Sequence, residues 1–148
     1  MPASSEIILL NETIKQAEDA AAHLSASVKR CTPFFQSTEI LSEDQLIELD
    51  ALTSRFARLS DLLIQKIFKS VERLDLETPG TVRDRIMQAG KKGLVDNVNT
   101  LFEIREVRNS IAHDYDGDLF KDIVSFALKN SFVLFNALDS VKKYCQKF

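Results

Sequence analysis

The sequence predicts an all-α fold, an antiparallel bundle of four or five helices, on three observations. Apolar residues recur at three- and four-residue steps through most of the 148 residues, which is the period of helices buried on one face. No stretch shows the strict alternation of a half-buried strand. Most of the four glycines and three prolines fall between the periodic segments, where helices end.

The first two helices are long. The first is expected from about Ser5 to Arg30, ending before Pro33. The second starts at Ser42, whose spacing to Gln45 fits a capping box, and continues to about Leu74. Its apolar face is close to a heptad, which favours lengthwise packing against another long helix. That face consists of Leu46, Leu49, Leu52, Phe56, Leu59, Leu63, Ile67 and Leu74.

Three further helices complete the predicted bundle. Thr81 and Asp84 form a second capping pair for a short helix that Gly93 terminates. Asp96 is expected to cap a fourth helix, from about Asn97 to Asp114. A last helix is expected from about Asp118 to Lys147. Its apolar face is predicted to include Leu119, Ile123, Phe126, Ala127, Val133, Leu134, Leu138 and Val141.

Composition restricts the functional classes. The net charge of −3, from 19 cations and 22 anions, gives no chain-wide positive field toward nucleic acid or anionic lipid. No apolar run reaches the roughly 20 residues that span a bilayer, and residues 1–6 do not resemble a secretory signal. The two cysteines, Cys31 and Cys145, are far apart and suit packing in a reducing compartment. We therefore expect one cytoplasmic domain over residues 1–148, without a membrane partner.

Local charge is uneven. Glu39 to Asp50 is an acidic run, typical of a solvated helix face. Between Arg83 and Arg108, six cations oppose four anions, an excess of 6 − 4 = +2. This second segment predicts a modest phosphate-attracting surface.

Two histidines are the side chains suited to acid–base chemistry near neutral pH. His23 lies among alanines in the first helix and is expected to be structural or exposed. His113 follows Arg108 and Asn109 at the end of the fourth helix. On an ideal helix Arg108 and His113 point about 140° apart with about 7.5 Å of rise, so one copy does not focus both on one atom. Asn109 and His113, four residues apart, would share a face, and the amide could orient the ring.

A symmetric dimer would resolve this separation. If two such helix ends met across a two-fold axis, their groove would hold two guanidinium groups and two imidazoles. Without a metal, that set suits attack on a phosphodiester by its own 2′-hydroxyl, with one imidazole as base, one as acid, and arginine on the phosphoryl oxygens. DNA lacks this hydroxyl. RNA is the predicted substrate, and the product would carry a 2′,3′-cyclic phosphate.

Arg108-Asn109 followed by His113 resembles the R-x4-6-H motif of the HEPN superfamily, and Tyr115 makes it R-x4-H-x-Y, the form of the HepT toxins. The resemblance is close from Leu94 to Asp118. It implies a HEPN-like homodimer with a metal-independent endoribonuclease site that cuts tRNA or mRNA, with Arg108 and His113 catalytic and no cofactor. It further implies that an MntA-like nucleotidyltransferase antitoxin silences the toxin by transferring AMP to Tyr115.

Two other interpretations remain open. The chain could be a non-catalytic HEPN helical dimer that binds a nucleotidyltransferase or a nucleotide. The motif could also be structural, with Arg108 paired to Glu103 or Asp114, while His113 and Tyr115 satisfy the end of the helix.

Overall fold

The computed structural model describes residues 2–36, 40–113 and 117–148, and over these ranges the chain is a bundle of five helices without strands, so the predicted all-α fold is confirmed. The helices are α1 (Pro2–Cys31), a continuous rod, α4 (Val82–Lys91), α5 (Val98–Ile111) and α6 (Gly117–Tyr144), which ends in a 3₁₀ turn (Cys145–Lys147). The rod consists of α2 (Glu43–Asp61), a π-helical segment (Leu62–Ile67) and α3 (Phe68–Leu74). Within the described ranges, no helix combines the length and apolar character needed to cross a membrane.

Helix α1 runs antiparallel to the rod along its whole length. Three contacts establish the direction: Glu6 pairs with Arg73 at 3.7 Å, Ser27 accepts a hydrogen bond from Arg55 at 2.7 Å, and Arg30 pairs with Glu48 at 3.8 Å. Helix α6 runs in the same sense as the rod. Its Phe126 ring packs edge-on against Phe56, and its Tyr144 bonds to Asp75.

The heptad-like face of the rod forms the centre of the core as predicted, except that its two end residues, Leu46 and Leu74, are half-buried. Leu49, Leu52, Phe56, Leu59, Leu63 and Ile67 are all fully buried. In the π segment, backbone bonds close over five residues, from the Phe68 N–H to the Leu63 carbonyl. The wider turn also buries Leu62 and Ile64, which the helical period did not predict.

Two predicted caps are confirmed and one is wrong. Ser42 with Gln45 and Thr81 with Asp84 form complete capping boxes. Helix α5 is capped by Asn97, whose side chain accepts the Asn99 N–H at 2.9 Å, and Asp96 does not cap it. Asn97 has the extended backbone that a capping residue adopts, one position further along the chain.

Helices α3 and α4 end in loops that have the same pattern of hydrogen bonds. After α4, Gly93 has φ 76°, its N–H bonds to Gly90, and the Leu94 N–H bonds back to Ala89. This is a Schellman motif, and Gly93 ends the helix as predicted. After α3 the same bonds form around Leu76, which has φ 57° and is 92% exposed.

The last two predicted helices need smaller corrections. Helix α5 ends at Ile111, before the predicted Asp114, because the N–H groups of Ala112 and His113 turn back to Asn109 and Ser110. Leu119 was predicted on the buried face of α6 but is 43% exposed, since it lies in the first turn, ahead of the first buried residue, Ile123.

Candidate active-site groove

Arg108 is held by a carboxylate from a distant part of the chain. Its Nε and Nη2 donate to the two oxygens of Asp61 at 2.6 and 2.8 Å, a bidentate pair that joins α5 to the rod. The hydrogen bonds to Asp61 raise the pKa of Arg108 above its ordinary value. A guanidinium carries five N–H donors, so three remain for another acceptor. The Arg108 side chain is 31% exposed.

An open groove of about 460 Å³ lies between the rod and the end of α5. Its charged lining residues are Arg58, Asp61, Lys66 and Arg108. With the Asp61 charge engaged by Arg108, Arg58 and Lys66 give the groove a positive surface. We call it the active-site groove, after the site that the sequence predicts at Arg108. Ile111 and Ala112 line its far end, where α5 stops. A concave site with several cations suits an anion such as a phosphate.

Two other predicted site residues, Asn109 and His113, lie in the last turn of α5 and just after it. His113 is exposed and directly follows Ala112, but it is not among the groove-lining residues. Because α5 ends at Ile111, Asn109 and His113 do not share a helix face, and no hydrogen bond joins their side chains in the described part of the chain. The role of Asn109 in orienting the ring stays a prediction. Tyr115 and Asp114 lie outside the described residues.

Three of the six cations in the segment predicted to attract phosphate, between Arg83 and Arg108, make contacts within the fold. Arg85 and Lys92 are 13% and 12% exposed and pair with Glu72 and with Asp75 and Glu77, respectively. The Arg83 guanidinium lies 5.3 Å from the Phe102 ring centre. Of the segment's six cations, Arg108 is the one among the described groove-lining residues, and the phosphate-attracting surface stays a prediction.

Sequence reasoning missed Arg58, Asp61 and Lys66. Arg58 and Asp61 lie three residues apart on the polar face of the rod, opposite the apolar heptad. Their spacing could have indicated that both belong to one exposed surface. The partner of Arg108 was not readable, because Asp61 is 47 residues away and no local pattern joins the two. Glu103, proposed as a structural partner, makes no ion pair with Arg108 among the described residues.

The cysteines are poor nucleophiles, in agreement with the packing role expected of them. Burial raises the pKa of both thiols, Cys31 and Cys145, to about 11. A neutral thiol at physiological pH is unreactive. His23 is exposed on α1, as expected, and its carbonyl accepts a hydrogen bond from Arg55.

Comparison with known proteins gives no family. No protein-family model matches the chain, and no curated protein matches it. Over the described ranges, no group of three or more His, Cys, Asp or Glu side chains could hold a metal ion. The candidate function rests on the residues and their geometry.

Proposed function

We propose that this chain is a metal-independent endoribonuclease, the toxin of a toxin–antitoxin module, with Arg108 and His113 as its catalytic residues. The observation that carries the proposal is the Arg108 guanidinium, which Asp61 orients in a cationic groove and which makes no further side-chain hydrogen bond to the described residues. A fixed, accessible guanidinium is suited to the charge that develops on a reacting phosphate. The R-x4-H-x-Y spacing supplies the link to RNA.

The proposed step is an intramolecular transfer. One imidazole takes the proton of the RNA 2′-hydroxyl, and that oxygen bonds to phosphorus. The bond from phosphorus to the 5′-oxygen breaks, and a second, protonated imidazole donates a proton to the leaving oxygen. Arg108 donates to the phosphoryl oxygens throughout. The products are a 2′,3′-cyclic phosphate and a 5′-hydroxyl.

This chemistry needs two histidines, and His113 is the one beside the groove. A symmetric homodimer supplies the second imidazole, because a two-fold axis near the end of α5 duplicates every residue there. In the same proposal, a partner nucleotidyltransferase silences the toxin by transferring AMP to Tyr115. The added phosphate would repel the RNA backbone.

The decisive experiment is cleavage of total tRNA and mRNA by the purified chain in excess EDTA. We expect wild type and Tyr115→Phe to cut, His113→Ala and Arg108→Gln to lose cutting, and His23→Ala to behave as wild type. His23→Ala is the matched control, since it removes the other exposed histidine. Light scattering should report a dimer for every variant. Cutting that survives in His113→Ala would refute the assignment.

One observation favours a second candidate, a non-catalytic helical dimer that binds a nucleotidyltransferase or a nucleotide. His113 is absent from the described lining of the groove that holds Arg108. A folded, unmodified dimer that cuts no RNA but binds a nucleotidyltransferase would favour this binding role.

A further inference from the structure

The active-site groove does not end at Lys66. A second groove, of about 310 Å³, lies between α1 and the rod and shares Lys66 with the first. Its lining residues are Leu9, Glu12, Thr13, Gln16, Gln65, Lys66, Lys69, Ser70 and Arg73. The two grooves are neighbours along the rod and share Lys66 as a lining residue, and we refer to the pair as the channel.

This channel is strongly positive for an acidic protein. Its described lining contains five cations, Arg58, Lys66, Lys69, Arg73 and Arg108, against the two anions Asp61 and Glu12. The local balance is 5 − 2 = +3, while the whole chain carries −3. Arg58 to Arg73 spans 15 residues, or roughly 22 Å of helix. The cations thus form a line of that length rather than one cluster.

Most of these cations have no partner among the described residues. In the described part of the chain, Arg58, Lys66 and Lys69 make neither an ion pair nor a side-chain hydrogen bond. Arg73 contacts Glu6 at 3.7 Å and keeps 50% of its side chain exposed. Lys92 and Arg85, by contrast, are engaged in buried ion pairs. A row of unpaired cations in a channel attracts an extended polyanion.

We propose that the channel holds the backbone of single-stranded RNA and leads it to Arg108. The inference rests on the proposed function, because it assigns the path of that substrate. No aromatic side chain is present in the described lining, so bases have no surface on which to stack. Binding along the channel therefore reads phosphates and not sequence. A concave channel fits a strand better than it fits the flat surface of a membrane.

The test measures binding without cleavage. A fluorescent 2′-O-methyl RNA of about 12 nucleotides lacks the attacking hydroxyl, so wild type binds it without cutting. We compare Lys66→Gln/Lys69→Gln with Lys129→Gln/Lys143→Gln, a charge-matched control on exposed positions of α6. Anisotropy titrations over a range of KCl give the affinity and its salt dependence. Circular dichroism and light scattering check each variant for fold and mass.

We expect the channel variant to lose two phosphate contacts. Its log–log salt slope should be smaller than that of wild type by about 1.4, which corresponds to about 25-fold weaker binding at about 0.1 M salt. The α6 control should match wild type, and homopolymers of different base should bind with similar affinity. Equal affinity and slope in wild type and the channel variant would overturn the proposal. A loss confined to binding of anionic vesicles would also overturn it.

The outcomes separate this inference from the ribonuclease proposal. If the chain cuts no RNA but the channel variant binds it weakly, the channel is supported and the catalytic assignment fails. If the chain cuts RNA and the channel variant cuts and binds it normally, the channel fails and the catalytic assignment is unaffected.

Discussion

Asp61 links the stability of the bundle to the chemistry proposed for it. It contributes both of its oxygens to Arg108 and joins α5 to the rod at the floor of the active-site groove. Both side chains are about one-third exposed, at 39% and 31%, so water weakens their attraction. In the proposed mechanism Asp61 is a positioning residue, which acts through Arg108.

Asp61→Asn should destabilise the chain by about 1 kcal/mol relative to Asp50→Asn. Both residues are on the rod, but Asp50 is exposed and makes no ion pair in the described part. The amide removes the charge and one acceptor facing Arg108. Urea unfolding measures the difference, which should shrink at about 0.5 M NaCl because salt screens exposed pairs. Equal stability of the two variants would mean that the pair contributes nothing.

The raised pKa of the Cys31 thiol predicts that the stability of the fold depends on pH under alkaline conditions. Its pKa is about 11 in the fold, chiefly because burial disfavours the thiolate, and 9.0 is its unperturbed value. Between these values the unfolded chain loses a proton that the folded chain keeps, so stability falls as pH rises.

Between pH 9 and 11, wild type should therefore lose on the order of 2 kcal/mol more than Cys31→Ala, as measured by urea unfolding across that pH range. Taking the difference between the two cancels the titration of lysines and tyrosines. Parallel pH profiles for the two proteins would contradict the prediction.

Three helix ends were predicted correctly from the sequence. Ser42 with Gln45, Thr81 with Asp84, and Gly93 carry their signals within a few residues, and the structure contains all three features. Local chemistry decides a cap, so a local pattern is enough. The end of α3 carries no such signal, because Leu76 occupies the position where glycine is expected.

Leu76 and Gly93 occupy equivalent positions after α3 and α4. We therefore expect opposite changes in stability when glycine is introduced at one position and removed at the other. Leu76→Gly should stabilise the chain by about 0.5 kcal/mol, because it removes the left-handed strain of an exposed side chain. Gly93→Ala should cost about 1 kcal/mol, although a methyl group there meets no atom within 4 Å. Thermal unfolding measures both.

Gly117→Ala is the control for this pair. A methyl group at Gly117 meets no described atom within 4 Å, and Gly117 is the first residue of α6. The substitution should be neutral or slightly stabilising. If Gly93→Ala and Gly117→Ala behave alike, backbone conformation is not the cause of the cost.

The π segment and the Asp61 contact were not predicted, for related reasons. A six-residue widening of a continuous helix leaves an apolar run that fits the regular helical period nearly as well. The Arg108 partner depends on how two helices pack, which no pattern within either helix encodes. The sequence therefore placed Arg108 on α5 but not the groove around it.

Three distant parts of the chain meet around Asp75, at the end of α3. Tyr144 donates to Asp75 at 2.5 Å, Lys147 at 2.9 Å, and Lys92 lies 3.3 Å away. Burial alone would raise the pKa of Asp75, but the hydrogen bonds from Lys147, Tyr144 and Lys92 lower it below its ordinary value. This cluster joins the ends of α3, α4 and α6.

Asp75→Asn should remove part of the acid sensitivity of the whole molecule. The folded pKa is below 3.8, so Asp75 contributes stability above that pH and loses it as pH falls through the folded pKa. Below about pH 4, wild type should lose stability more steeply than Asp75→Asn. Asp139→Asn, at an exposed position on α6, is the control and should follow wild type. If stability falls equally steeply with pH in all three proteins, the cluster does not contribute to acid unfolding.

The wide turn at Leu62–Ile67 has a consequence for evolutionary comparison. Its backbone bonds close over five residues instead of four, so the rod contains one residue more than a regular helix of the same phase. One residue rotates a helix by about 100°. A homologue with a regular rod would keep both core faces only by lacking one residue there. Its alignment should show a one-residue gap inside an unbroken helix. An alignment without the gap would match either Arg58 or Lys66 to the wrong residue of the homologue.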